Sequence, residues 1–515
     1  MKIVIVGGGT AGWLSALYCA IYNQNKNKEQ NEIIVIESSK IPIIGAGEGS
    51  TGLLADVIDN KFKKLGLNEY DFLTQTEATT KLGIRFKDWG SIGNEFLSPL
   101  DASDTRLSST DFNLLAFLLY DKATNASESG YLMDKEYSPY LLNKRDHIGI
   151  HSYHFDAHKV GQYFKKVAME SGVKCIDTEI ESINKNINGE LESVNTTIGK
   201  IDADFWIDCS GFAKVLIEPM GAKWISYSEY LPTNTALPYV HQFEKNENVL
   251  AETLAWAQPN GWMWQIPNQK RYGCGYVYSD RFTNQDNALE ELEKITGRKI
   301  NPIRNIKFDA GRCDKFWIKN VAAIGLSASF LEPLQATSIH TTIVQLDLLL
   351  NTNLNFRSKD DIVYNSHIEI YNNAIATLSD DFRDLIQIHY VNDREDSKFW
   401  KYCKYEMPKT EKVKQILDLC KHRSPSSLDF KMYHGVANWG VWCWTLIGLG
   451  HITKNIAKKI IEASDNEELS INLIKRLNDR NKTTSYTLMK NKDFIKTLQE
   501  GKLIKPKANP KYYIR

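Results

Sequence analysis

Lys2-Ile3-Val4-Ile5-Val6-Gly7-Gly8-Gly9-Thr10-Ala11-Gly12-Trp13 is the stretch that decides the fold. A short apolar run of this kind is a buried parallel strand. The glycines behind it fit G-x-G-x-x-G at Gly7, Gly9 and Gly12. Gly7 makes the tight turn, Gly9 lets a pyrophosphate approach the backbone, and Gly12 lets helix and strand pack closely. The helix that follows, from Ala11 to about Tyr22, aims its N-terminal N–H groups and positive dipole end at a phosphate. A second strand, Ile33-Ile34-Val35-Ile36, ends in Glu37, which accepts hydrogen bonds from a ribose. Glu37 stands further on than the usual ~20 residues, and the polar stretch Asn23 to Asn31 is a loop insertion that explains the delay. The glycines alone are a weak signal. Strand, glycines, helix, strand and acid in that order predict dinucleotide binding.

The rest of the composition is that of a soluble enzyme. At 515 residues the chain is too long for one small core, and two or three modules are expected. The net charge is zero, so no electrostatic case exists for nucleic acid or a membrane surface. No apolar run reaches the ~18 residues of a membrane span, and the N-terminal run has a strand's length rather than a signal peptide's. Eight cysteines are scattered without a C-x-x-C pair. They read as reduced thiols of a cytoplasmic protein and not as a metal site. Residues 1–350 mix strands, glycine turns and helices, as in an α/β protein, whereas 351–515 look mostly helical. Ser366–Tyr371 and Ile456–Ile461 show helical spacing of apolar positions, and a helix is expected after Ser470 before the tail. Asn184 to Asn195 reads as a hairpin around Asn188-Gly189.

Gly261-Trp262-Met263-Trp264-Gln265-Ile266-Pro267 is the most unusual segment outside the opening unit. If extended, it projects both indoles from one face, and Pro267 then tends to end the pairing. By itself this is a core strand as readily as the wall of a site. Inside a flavoprotein fold, however, Trp-x-Trp-x-Ile-Pro resembles the signature of flavin-dependent tryptophan halogenases. Four further segments carry the same resemblance in the same order: Tyr153-His154-Phe155-Asp156, Asp204 to Phe212, Gly325 to Leu334, and Phe382 to Tyr390 with Arg394, Asp396 and Phe399-Trp400. From Ile3 to about Gly450 the chain is identified as a member of that family. The expected architecture is an FAD-binding, Rossmann-like α/β module, residues 1–350, carrying the halide site and a lysine. A mostly helical module, residues 351–515, contributes to the substrate site.

The resemblance implies an activity. Reduced FAD, dioxygen and halide form hypohalous acid, which passes through an internal tunnel to a lysine and halogenates an electron-rich carbon. It assigns the cofactor to Gly7, Gly9, Thr10, Ala11, Gly12, Glu37, Ala46, Gly47, Gly325, Leu326 and Ile339. It assigns the tunnel to Trp262, Trp264, Ile266, Pro267, Phe330 and Pro333, and the halide to backbone N–H groups at Thr337 and Ser338. The lysine is Lys81. Read without the resemblance, Leu82, Ile84 and Phe86 alternating with Lys81, Gly83 and Arg85 make one two-faced strand, with Lys81 on a solvated face. Gly45 to Thr51 resembles the family's loop over the flavin and opens no second dinucleotide unit. A separate flavin reductase is therefore the expected source of reduced FAD. Self-association into a homo-oligomer is left open.

Two departures from the family pattern bear on mechanism. After Pro333 the family reads Pro-Leu-Glu-Ser-Thr-Gly, where this chain has Pro333-Leu334-Gln335-Ala336-Thr337-Ser338. Gln335 hydrogen-bonds but is no base near neutral pH. The family's His-Pro-Phe indole clamp corresponds to Leu97-Ser98-Pro99-Leu100, without the aromatics. Pro99 with Trp439 and Trp442 of the C-terminal segment then form the candidate substrate wall, and an indole or phenol is expected in place of free tryptophan. Loss of the acid and the clamp favours bromide or iodide over chloride, the halide hardest to oxidise. The alternatives are a flavin monooxygenase on the same fold or a catalytically silent flavin-binding protein.

Overall fold

The computed structural model describes residues 1–24, 30–41, 48–101, 111–120, 127–245, 247–350, 361–426, 429–430, 439–463 and 467–505. The expected βαβ unit is present: strand Lys2–Val6, helix Thr10–Asn23 and strand Glu32–Glu37, with the two strands parallel and Val6 opposite Ile36. They belong to a six-stranded sheet that also holds Phe205–Asp208, Val321–Ala323, Trp317–Ile318 and Lys174–Asp177. Only the outermost Trp317–Ile318 strand runs antiparallel to its neighbour. The near-continuous apolar strands are buried, as a parallel sheet covered on both faces requires. Its carboxyl ends are where open α/β sheets bind ligands. Ala46 and Gly47, assigned above to the cofactor, lie outside the described residues.

A seven-stranded sheet forms the second layer of the site. Its order is Ile306–Lys307, Thr235–Gln242, Arg271–Tyr278, Gly261–Pro267, Glu252–Gln258, Gly83–Lys87 and Glu95–Pro99. The Trp-x-Trp segment is thus a central strand, paired on both sides. A small three-stranded sheet of Glu48–Gly49, Ser152–Phe155 and Thr79–Lys81 stands beside it. The hairpin around Asn188-Gly189 is also as read, with Gly189 at φ 77° between antiparallel strands Ile180–Lys185 and Leu191–Thr196.

The segment around Lys81 differs from its reading as one strand. Thr79–Lys81 pairs with Ser152–Phe155, whereas Gly83–Lys87 pairs with Glu252–Gln258 and Glu95–Pro99. The chain changes sheets at Leu82, whose N–H donates to Ala251 C=O at 2.7 Å and whose own C=O accepts from Leu100 N–H at 2.9 Å. The step breaks the alternation, so Lys81 and Ile84, three positions apart, line the same cavity. Lys81 is 1 % exposed and does not stand on a solvated face.

Beyond residue 360 helices dominate, from the long Asp361–Tyr390 through Lys398–Tyr405, Glu411–Leu419, Trp439–Gly448 and Lys454–Glu462 to Glu467–Ser485 and Asn491–Gln499. One strand was not foreseen: Leu488–Lys490 pairs antiparallel with Tyr137–Leu141. Three residues carry too little periodicity to show a strand, and only the partner supplied by the fold defines it.

Candidate functional site

A large cavity of about 990 Å³ runs between the two main sheets. At one end stand Gly7, Gly9, Thr10 and Ala11 with Glu37. Gly7 has φ 121°, and a Cβ on it would lie 2.2 Å from Cys209 O. A Cβ on Gly12 would lie 1.8 Å from Gly7 O, so helix and strand touch there as the fingerprint requires. Where a Cβ on Gly9 would stand, no atom of the described residues beyond its chain neighbours and helix backbone comes within 4 Å. The helix Thr10–Asn23 has no side-chain cap at Gly9, which leaves its first N–H groups to a ligand. This cradle fits the pyrophosphate of FAD. Glu37 is engaged within the protein: it accepts from Trp13 Nε1 at 3.2 Å and pairs with Lys165.

The cavity continues past Gly325, Leu326 and Ile339 to the tryptophan strand. Trp262, Trp264 and Ile266 all line it, as do Phe330 and Pro333. The two indoles stand 6.2 Å apart on the same face of their strand. Trp264 lies over Gly275, its cross-strand partner, where a Cβ would meet the indole Cη2 at 1.9 Å. Pro267 is buried at the strand end but does not line the cavity, because strand alternation puts it on the face opposite Trp262, Trp264 and Ile266.

Lys81 projects into the cavity beside Glu48, Gly49 and Thr253. Burial alone drives its amine down from 10.5 to about 7, because charge is disfavoured out of water and no carboxylate among the described residues pairs with it. His154 is buried on the same small sheet and held well below its ordinary value by burial and by Lys81, so it is neutral. Burial, with Asp156 nearby, pushes Glu48 up to about 7. Glu48, Thr253 and His154 have no role in the reading from sequence, although Tyr153-His154-Phe155-Asp156 was marked there as a family segment. Their proximity depends on which strands pair.

Gln335 also lines the cavity and is held in an unusual conformation, φ 66° and ψ 2°, followed by Ala336 at φ 54°. Two successive left-handed, non-glycine residues are costly and persist only where the surroundings fix them. The fixing partner is His389: its Nδ1 faces Leu385 C=O at 2.8 Å and must donate there. Its Nε2 therefore accepts, and Gln335 Nε2 donates to it at 3.2 Å. Burial drives His389 down to about 4, which keeps it neutral. One turn earlier, Glu332 accepts from Thr233 Oγ1 at 2.5 Å and from Tyr390 OH at 2.9 Å. Burial lifts this carboxyl to about 7. The loop is thus tied twice to the end of helix Asp361–Tyr390.

Thr337 and Ser338 open helix Thr337–Leu350, directly after the short turn Leu334–Ala336. Both bound a second, small cavity of about 10 Å³, shared with Gly325, Ser329 and Phe382. Ser338 faces the large cavity as well, and Thr337 does not. The candidate substrate residues stay outside both. Pro99 is buried opposite Gly83, two residues past Lys81. Trp442 stacks on Phe430 at 5.5 Å inside the C-terminal helices, and Trp439 is half-buried at the helix start. One group of metal-competent side chains occurs among the described residues, Glu69 with His147 and His151. The Glu69 carboxylate is met there by His151 Nε2 at 2.5 Å, His147 Nε2 at 3.2 Å and Tyr153 OH at 3.3 Å.

Comparison with known proteins adds to this geometry. The family model described as tryptophan halogenase matches residues 2–465. Tryptophan 7-halogenase RebH of Lentzea aerocolonigenes is 29% identical over 466 residues, covering 84% of this chain and 85% of its own. Tryptophan 6-halogenase ThaL of Streptomyces albogriseolus is likewise 29% identical, with the same coverage. Among solved structures, a flavin-dependent halogenase from Xanthomonas campestris superposes with TM-score 0.83 at 25% identity over 99% of both chains. A tryptophan halogenase from Shewanella frigidimarina shares the fold at TM-score 0.89 and 24% identity, again over 99% of both.

Proposed function

The chain belongs to the tryptophan halogenase family, and from that premise we propose that it halogenates an electron-rich indole or phenol other than free tryptophan, through Lys81. As a member it is an FAD-dependent enzyme that uses dioxygen and halide and receives reduced FAD from a separate reductase. The bound cofactor supplies the oxidising power that turns halide into hypohalous acid. The chain's own residues then hold, conduct and deliver that species.

Thr337 and Ser338 present backbone N–H groups to the halide at a helix N-terminus, where negative charge is favoured. Trp262 and Trp264 fill the space between cofactor and lysine, so that an aromatic substrate cannot reach the cofactor while a triatomic acid can pass. Lys81 is the receiver. An amine near 7 is half neutral at physiological pH, so one nitrogen can take halogen or hold hypohalous acid by hydrogen bonding. Gln335 cannot take the ring proton as a carboxylate would, and the lysine nitrogen that gives up halogen accepts it instead. Pro99, opposite Gly83, lies behind the proposed substrate side without lining the cavity, and Trp439 and Trp442 belong to the helical module and line no part of it.

Without the acid and the indole clamp, positioning is weakest for the halide that needs it most. Bromide and iodide are therefore preferred to chloride. The observation that carries the reading is the buried, acid-free Lys81 on the wall of the cavity that begins at the glycine turn. The test supplies the protein with a flavin reductase, FAD, dioxygen and equal concentrations of three halides. Products from indoles, phenols and free tryptophan are read by mass. Brominated or iodinated indole or phenol is expected. Hydroxylated product would establish the monooxygenase alternative, and absent turnover the silent one.

A further inference from the structure

The Lys81 amine does not face the cavity alone. The position a Cβ would occupy on Gly49 lies 3.0 Å from Lys81 Nζ and 3.5 Å from Thr253 Oγ1. Amine and hydroxyl therefore converge on one small volume, which stays open because residue 49 has no side chain. Four strands build it: Glu48–Gly49 and Thr79–Lys81 flank Ser152–Phe155, and Glu252–Gln258 brings Thr253 from the neighbouring sheet. Behind Thr253 stands His154, 0 % exposed, with Nε2 at 2.9 Å from Thr253 Oγ1. The other ring nitrogen, Nδ1, meets no hydrogen-bond partner among the described residues. A buried donor left without a partner is rarer than an acceptor so left. The ring proton accordingly sits on Nε2 and is donated to Thr253. The threonine O–H is then turned away from His154, toward the volume over Gly49.

We propose that this volume is the seat of hypohalous acid, and that the Thr253 hydroxyl is a second catalytic group, aimed by His154 as a positioning residue. The inference rests on the halogenase reading and adds the atoms that bind the transferred species. Hypohalous acid lies with its halogen toward Lys81 Nζ and its oxygen toward Thr253 O–H. The neutral amine attacks the halogen, so the N–X bond forms and the O–X bond breaks. The departing hydroxide is stabilised by the threonine donor and takes the proton released by the amine nitrogen, leaving as water. In the second step the aromatic carbon takes the halogen and its ring proton goes to the lysine nitrogen, which returns to the amine. No further oxidant or base is needed. The lowered proton affinity of Lys81, which makes the attacking amine available, is consistent with this step.

The test compares wild type with Thr253→Val, Thr253→Ser and Gly49→Ala in the complete system of reductase, FAD, dioxygen and bromide. An indole substrate is present, and a non-aromatic 1,3-diketone scavenger in bulk solution traps escaped hypobromous acid. Thr253→Val is expected to lower kcat for indole bromination about 10²-fold, the range for losing a preorganised donor at a leaving oxygen. The KM for indole stays within about twofold, and the missing product reappears as brominated scavenger. Thr253→Ser keeps the donor and restores most of kcat. Gly49→Ala fills the volume and behaves like Thr253→Val. A wild-type-like kcat and scavenger ratio in Thr253→Val overturns this site alone. A wild type that brominates neither indole nor scavenger overturns the halogenase reading and this site with it.

Discussion

The two ends of the cavity are built on opposite principles. At the glycine turn, the ligand meets backbone: uncapped N–H groups of helix Thr10–Asn23, with glycines packed so closely that a Cβ on Gly12 would overlap Gly7 O. Its acid, Glu37, is paired with Lys165, and the glycines and helix start that form the cradle lie within a dozen residues of sequence. At Lys81 the ligand meets a side chain whose charge is buried without a paired acid. Its neighbours Gly49, His154 and Thr253 come from three other strands. The binding end is local and comfortable, whereas the reactive end is non-local and carries a standing cost. A strained reactive site held by an unstrained scaffold is a common arrangement, since reactivity and stability pull against each other.

Replacing Lys81 should separate the two ends most sharply. Lys81→Ala is expected to abolish halogenation of an unactivated indole, while FAD titration still shows binding. Halogenated indole at wild-type rates would remove Lys81 from the chemistry. The reverse break comes from Gly12→Ala. Its methyl would force helix and strand apart, costing about 1–3 kcal/mol of stability and weakening FAD binding roughly tenfold or more, because the N–H groups no longer converge. Fluorescence titration with FAD reads it, and unchanged affinity would show that the turn does not set the cofactor's place.

An effect on stability without loss of the cofactor site tests the cost of the reactive end. The unfolded chain holds the Lys81 proton up to about 10.5, and the native protein releases it near 7. Between those values the unfolded state binds more protons, so this group makes stability rise with pH across that window. Lys81→Met should therefore stabilise the protein by roughly 1–4 kcal/mol below pH 7, with the gain shrinking toward pH 10. Chemical denaturation across that range reads both magnitude and slope. A destabilised Lys81→Met would mean that the amine is stabilised by its surroundings. Least in size is Gln335→Glu. The new carboxylate faces His389 Nε2, whose ring already donates through Nδ1 to Leu385 C=O. The imidazole must then take a second proton, so its affinity should rise from about 4. Product ratios should shift toward chlorination by only a few-fold, since the carboxylate is partly engaged by His389⁺. NMR titration of His389 and halide competition check the two halves.

Much of this was legible in the chain itself. The glycine turn, its helix and the second strand that ends in Glu37 are set by local chemistry: a run of apolar residues, three glycines at fixed spacing and a helix start act within one supersecondary unit. The same holds for Trp262 and Trp264, where a period of two places both indoles on one face whatever pairs beside them. Lys81 was found by resemblance to a family segment, and its alternation with Leu82 and Ile84 pointed the wrong way. That alternation fails because the chain changes sheets at Leu82, and a change of partner leaves no mark on hydrophobic period. What only the tertiary structure decided is the company of the lysine: its burial, its lack of a paired acid, the open volume over Gly49, and Thr253 aimed by His154. The proton affinity of a side chain depends on what surrounds it in space. Those surroundings are assembled by strand pairings between residues far apart in the chain, so local sequence specifies the cradle and only the fold specifies the reactive centre.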